Sequence, residues 1–176
     1  MKKTAWLLDE EHSTIVFRVK HMVISTVVGQ FKRFEVRAIS EGDDFERGSV
    51  QCTISTADVT TNDDYRDDHL KSEALLDVTK YQEIEFKSER FDRINETKFQ
   101  LRGNLTIKDI TQAIEIPVTY LGKNNIDGIE RSAFESDFVI NRDQFDLTYN
   151  TLLESGGMVI GKEININVYI TLIKKQ

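Results

Sequence analysis

The sequence predicts an all-β domain built from eight antiparallel strands. Three observations point there. Apolar residues recur at every second position through most of the chain, each such run has one apolar and one mixed face, and polar turns join most of the runs. A strand covered on one side only belongs in an antiparallel sheet, because parallel sheets are buried on both faces. Eight such strands can close into a barrel or stack as a sandwich, and the alternation alone fits both.

The first run, "STIVFRVKH", sets Ile15, Phe17 and Val19 against Val16, Arg18 and Lys20. In "VVGQFKRFEVRAI", Val27, Gly29 and Phe31 share one phase, whereas Phe34, Val36 and Ala38 take the other. A slip of one residue is what a bulge or tight bend produces. "SVQCTIST" groups Val50, Cys52 and Ile54, and "EIEFKS" groups Ile84 and Phe86. "KFQLRGNLTI" aligns Phe99, Leu101, Gly103, Leu105 and Ile107; "AIEIPVTY" aligns Ile114, Ile116, Val118 and Tyr120. "AFESDFVI" carries Phe134, Phe138 and Ile140, and "EININVYITL" opposes Ile164, Ile166, Val168, Ile170 and Leu172 to a polar face. The connections "SEGDDFERG" and "GKNNIDG" read as polar hairpin turns. Residues 57–81 and 143–162 form longer connections, and long connections in compact domains tend to be functional.

A short helix is expected in the 57–81 connection. Asn62 can cap it, with Asp63 and Asp64 in the first turn, where the helix dipole favours acids. Arg66, Leu70 and Ala74 then fall on one stripe, with Tyr65 and His69 on the next, so Leu70 points inward and the aspartates into water. "DDYRDD" also matches the pattern with which prenyl synthases hold magnesium and diphosphate. Those enzymes are helical bundles with two such motifs. This β chain has one, so a capped helix start accounts for the acids better.

The 176 residues, 39% of them apolar, suit one domain spanning 1–176. A net charge of −7 spread along the chain gives no basic face for nucleic acid. The single cysteine, Cys52, alternates with Val50 and Ile54 and reads as a small buried hydrophobe rather than a catalytic thiol. No metal site is expected. His12 and His21 stand nine residues apart on opposite faces of a strand, roughly 30 Å by strand rise, whereas zinc requires ligands at about 2 Å. The N-terminus begins like a leader, but the apolar run after its lysines, Ala5 to Leu8, is too short for a signal peptide, so a cytoplasmic location is expected. Arg18, Lys20, Lys32, Arg33 and Arg37 concentrate positive charge on the first two strands, which suits a solvated exterior better than docking on an anionic membrane or gripping a diphosphate.

In order and spacing, "WLLDEEHSTIVFRVKH", "VVGQFKRFEVRAI", "YRDDHLKSEALLDVTKYQEIEFKS", "LRGNLTIKDITQAIEIPV" and "FVINRDQFDL" closely resemble the YceI-like polyisoprenoid-binding proteins, from Trp6 to about Leu172. The family's marks fall on Asp9, His12, Ser13, Phe17, His21, Gly29, Phe31, Arg66, Asp67, His69, Leu70, Phe86, Ser88, Gly103, Leu105, Thr106 and Arg142. Lys108 and Asp109 stand where the family often has histidine-glycine, and Asp146 where it has glycine.

The resemblance implies a lipocalin-like barrel of eight antiparallel strands around an elongated apolar interior. It implies a bound long isoprenoid or similar amphiphile, and no chemistry or separate cofactor. On that basis Phe17, Phe31, Phe34, Ile54, Phe86, Leu101, Phe138, Ile166 and Val168 are expected in the wall. Leu70, Phe145, Leu152 and Leu153 are expected to cap the mouth. Arg66, His69 and Arg142 are candidates for gripping a polar head group, although an ion pair of Arg66 with Asp67 that pins the helix is the stronger expectation for Arg66. The partner expected is a long-chain isoprenoid lipid, with transient membrane contact and a homodimer as further options.

Overall fold

The computed structural model describes residues 2–151, 153 and 158–176. Among them, eleven strand segments form one antiparallel sheet that closes on itself. They are β1 (Lys3–Leu8), β2 (Thr14–His21), β3 (Ser25–Phe31), β4 (Phe34–Glu41), β5 (Asp44–Ser55), β6 (Val59–Thr60), β7 (Glu83–Arg93), β8 (Lys98–Ile107), β9 (Ile110–Ile126), β10 (Ile129–Asn141) and β11 (Ile160–Lys174). Three pairs run end to end as single bent staves. β1 and β2 both pair with β11; β4 and β3 pair with β1 and β2; β5 and β6 pair with β4 and β3. Eleven segments less three joins leave eight staves in an up-and-down barrel, closed where the first meets β11.

Two of these bends have a clear local cause. The first stave breaks at a 3₁₀ turn, Glu10–His12. There the buried Asp9 carboxylate takes hydrogen bonds from Arg131 Nε at 2.9 Å and from His12 Nδ1 at 3.0 Å. Ser13 Oγ donates to Asp9 O at 2.7 Å and accepts from Thr171 N at 3.0 Å, tying the break to β11. The second stave breaks between Phe31 and Phe34, at the phase slip the alternation predicts.

Three segments differ from what the alternation predicts. Lys3–Leu8 is a strand, and its Trp6 is 1% exposed, with Nε1 donating to Ser40 Oγ at 2.7 Å. "SEGDDFERG" and "GKNNIDG" are mostly strand. The first turns only at Gly42–Asp43, and the second at Asp127–Gly128, where φ values of 56° and 78° suit the tight hairpins that favour Asp-Gly.

Trp6, Phe45, Phe134 and Tyr120 meet inside one end of the barrel. Ring centroids lie 5.1 Å apart for Trp6 and Phe45, 4.9 Å for Phe45 and Phe134, and 5.2 Å for Tyr120 and Phe134. Four large rings in mutual contact fill the cross-section, so this end is a solid floor. Helix α1 (Asp64–Lys71) lies at the opposite end.

A hollow barrel and its mouth

Above the floor the barrel is hollow. The cavity measures about 360 Å³, within a wall that reaches from Phe45 and Phe134 up to Arg66, His69 and Ile160.

The state of the wall supports the hollow. Phe17, Phe31, Ile54, Phe138, Ile166 and Val168 face inward, yet they are only half-buried. In a solid core they would be as enclosed as Trp6. Their remaining surface is the surface they turn to the cavity.

Of the predicted wall, Phe17, Phe31, Ile54, Phe86, Leu101, Phe138, Ile166 and Val168 line the cavity. Phe34 is buried in the core without reaching it. At the mouth, Leu70 lines the cavity; Phe145 is 1% exposed and packs behind the wall, and Leu153 is half-buried away from it. Leu152 lies outside the described residues.

Two glycines make room for this wall. A β-carbon on Gly29 would stand 2.2 Å from Phe17 Cζ, and one on Gly103 would stand 2.7 Å from Phe86 Cζ and 2.3 Å from Lys87 O. Each glycine lets a neighbouring stave's phenyl ring lie flat against the sheet.

The mouth differs chemically from the tube. Arg66, His69, Arg142, Lys20 and His21 all border the cavity. The parity of the first stave puts His21 in phase with Phe17 and Val19, so its inward position was legible; Lys20 had no such signal. Arg66 is fastened by Thr61, with Nε donating to Thr61 Oγ1 and Nη2 to Thr61 O, both at 2.8 Å. His69 meets Tyr149 edge to face, with centroids 4.6 Å apart. Arg142 is 3% exposed and donates to four carbonyls: Gly161 at 2.7 Å, Tyr149 at 3.0 Å, Ile160 at 3.2 Å, and Leu147. Burial lowers its pKa, although an arginine stays charged at neutral pH.

The expected Arg66–Asp67 ion pair is replaced by another arrangement. Both side chains turn to Thr61 rather than to each other. Asp67 is buried, not in water, and accepts from Thr61 N at 2.7 Å, Thr61 Oγ1 at 2.5 Å and Thr60 Oγ1 at 3.0 Å. Burial pushes its carboxyl up, but these hydrogen bonds and the Lys71 charge outweigh that and hold it below the usual range. The helix cap is Asp63, which accepts from Arg66 N at 2.9 Å; Asn62 sits before it at φ 59°. Ala74 lies beyond the helix, exposed.

The four acids of "DDYRDD" are thus dispersed among cap, solvent and a buried threonine cradle. Among the described residues, no group of three or more His, Cys, Asp or Glu could hold a metal ion. Cys52 sits on the wall with its thiol desolvated, which pushes its pKa up to about 12.

Known proteins match this architecture. A UPF0312 protein of Staphylococcus aureus (strain bovine RF122 / ET3-1) is 31% identical over 163 residues, 92% of each chain. The crystal structure of Burkholderia cenocepacia BcnA superposes with a TM-score of 0.81 at 21% identity, over 93% of this chain and 98% of that one. A polyisoprenoid binding domain from Saccharophagus degradans, implicated in plant cell wall breakdown, has the same fold at a TM-score of 0.69 and 13% identity, over 95% of this chain and 97% of that one. The sequence model of the YceI-like domain matches residues 6–172, nearly the whole chain, and with that match the protein belongs to the YceI-like family.

Proposed function

We propose that the barrel binds one long-chain polyisoprenoid or similar amphiphile, such as an isoprenoid quinone, for carriage or storage and without chemistry. The carrying observation is the continuous apolar cavity between the aromatic floor and the cation-bordered mouth. Its size falls in the range of small-molecule sites, about 300–1,000 Å³. The name of the Saccharophagus domain, which describes polyisoprenoid binding, agrees with this reading. A thiol with a pKa of about 12 and dispersed carboxylates supply no evident nucleophile or base.

Burial from water would stabilise the complex by about 0.8 kcal/mol per methylene. The lipid's other home is a bilayer, which is as apolar as the tube, so that term nearly cancels in exchange between them. Selectivity then falls to tube length, set by the floor, and to the mouth. Arg66, which borders the cavity and has donors left over after binding Thr61, and His69, which borders it too, are the residues we assign to a polar or anionic head group.

The test is extraction. Protein purified without detergent and extracted into organic solvent yields a lipid in stoichiometric amount by mass spectrometry. Consistent failure to find one across several expression hosts overturns the reading.

A further inference from the structure

Three segments meet around the mouth, and contacts link them into one rim. His69 of α1 packs on Tyr149; Val159 N donates to Thr151 O at 2.9 Å; Met22 N, in the β2–β3 turn, donates to Val159 O at 2.6 Å. That turn carries Met22, Val23 and Ile24, which are 47%, 58% and 87% exposed. Elsewhere on the described surface, exposed apolar side chains occur in no such run. The run needs explaining, because three consecutive apolar residues at a hairpin tip leave about half or more of their surface in water.

The backbone sharpens the point. Met22 and Val23 have φ values of 53° and 67°. A β-branched residue in that region is strained, and hairpin turns usually place Gly, Asn or Asp there. Here Ile24 N donates to Met22 O at 2.7 Å, closing a very tight turn over Val23. Such strain concentrates at working sites.

We propose that the β2–β3 hairpin tip is a membrane-insertion element that docks the mouth on an anionic bilayer. This rests on the lipid-carrier reading, since it supplies the route by which a hydrocarbon leaves a bilayer for the tube. Charge on the same hairpin selects the lipid. Arg18 and Lys20 are exposed, lie four and two residues behind Met22, and have no ion pair among the described residues. They stand at the depth of the head groups when the tip enters the acyl boundary. The acids Asp64 and Asp68 of α1 are exposed across the mouth and oppose an end-on approach. The molecule therefore meets the surface hairpin side first, with His21 and Lys20 at the junction of cavity and bilayer.

Vesicle flotation of the full chain tests this, using phosphatidylcholine with about one-quarter phosphatidylglycerol, and phosphatidylcholine alone. The wild type floats with the mixed vesicles and severalfold less with phosphatidylcholine. V23G/I24S removes the apolar tip and relieves its strain; binding falls more than about tenfold while the thermal midpoint holds or rises. R18Q/K20Q weakens binding to the mixed vesicles by about fivefold per charge and leaves phosphatidylcholine binding unchanged. A wild type that stays in the aqueous fraction, or a V23G/I24S protein that floats as the wild type does, overturns the proposal. Equal binding to both vesicles overturns its anionic part. A dimer in sedimentation that V23G/I24S dissolves, without flotation, would assign the tip to a second copy instead. Flotation requires no bound lipid, so a protein that floats but yields no extractable lipid leaves the docking inference standing and removes the carrier reading alone.

Discussion

The Phe17 ring lies against Gly29 across the β2–β3 pair, where a β-carbon would stand 2.2 Å from the ring's Cζ. One residue's missing side chain thus sets the other's rotamer, and through it the width of the tube.

Gly29→Ala is expected to push Phe17 toward the cavity axis and to destabilise the fold by about 1–3 kcal/mol, as overpacking does. Lipid recovered on extraction should fall as well. Phe17→Leu in the same chain should restore much of the stability, because the clash is with the ring. Urea midpoints for the two single variants and the double form a cycle with a coupling term well above about 0.5 kcal/mol. A purely additive cycle would refute the contact.

Much of this geometry was legible beforehand. Alternation delivered the eight staves, and the phase slip between Phe31 and Phe34 located the second bend. What alternation missed lay in segments too short or too polar to show a period. β1 buries only Trp6 fully, so five of its six residues carry little signal. Phe45 is a single core aromatic inside an acidic stretch, and half of the floor went unseen with these two. The Asp67 cradle escaped for another reason: its partners, Thr60 and Thr61, reach it only because the chain turns back at Asn62. Nothing in the local spacing reports such a reversal.

Cys52 should be nearly inert. With its pKa pushed up to about 12, almost none is thiolate at pH 8, and the thiolate is the reactive form. An aromatic disulfide reagent at pH 8 is expected to label it slowly in the folded protein and at once in urea. Bound lipid should slow labelling further, since the sulfur faces the cavity. Fast labelling of the native, lipid-loaded protein would contradict the placement.

Two buried carboxylates contribute to the acid limit of stability. Burial raises both. Hydrogen bonds from Arg131 and His12 to Asp9, and from Thr61 and Thr60 to Asp67, more than offset that and hold each below its ordinary value. Their contribution is therefore complete above the unfolded-state pKa of about 3.9 and is lost as pH falls through the depressed folded values. Asp67→Asn should cost about 1–3 kcal/mol at pH 7, because an amide cannot accept from all three threonine donors. The same variant should show a shallower loss of stability between about pH 5 and pH 2. Urea titrations across that range read both, and an unchanged acid slope would rule out the cradle as its source.

Arg66 and Arg142 both border the mouth, yet they should fail differently when replaced. Arg142 spends its donors on the carbonyls of Leu147, Tyr149, Ile160 and Gly161, so it holds the segment before β11 to the barrel. Arg142→Met strands those carbonyls and should lower stability by more than about 3 kcal/mol, whatever the ligand. Arg66 commits Nε and one Nη2 proton to Thr61 and keeps its other donors, at the border of the cavity. Arg66→Gln should cost about 1 kcal/mol of stability. It should weaken a fluorescent prenyl phosphate by about tenfold or more, as loss of a charge-assisted hydrogen bond does, while leaving a neutral prenyl quinone within about twofold of wild type. Equal losses for both lipids would show that Arg66 shapes the mouth without reading the head group, and no loss for either would remove it from the site.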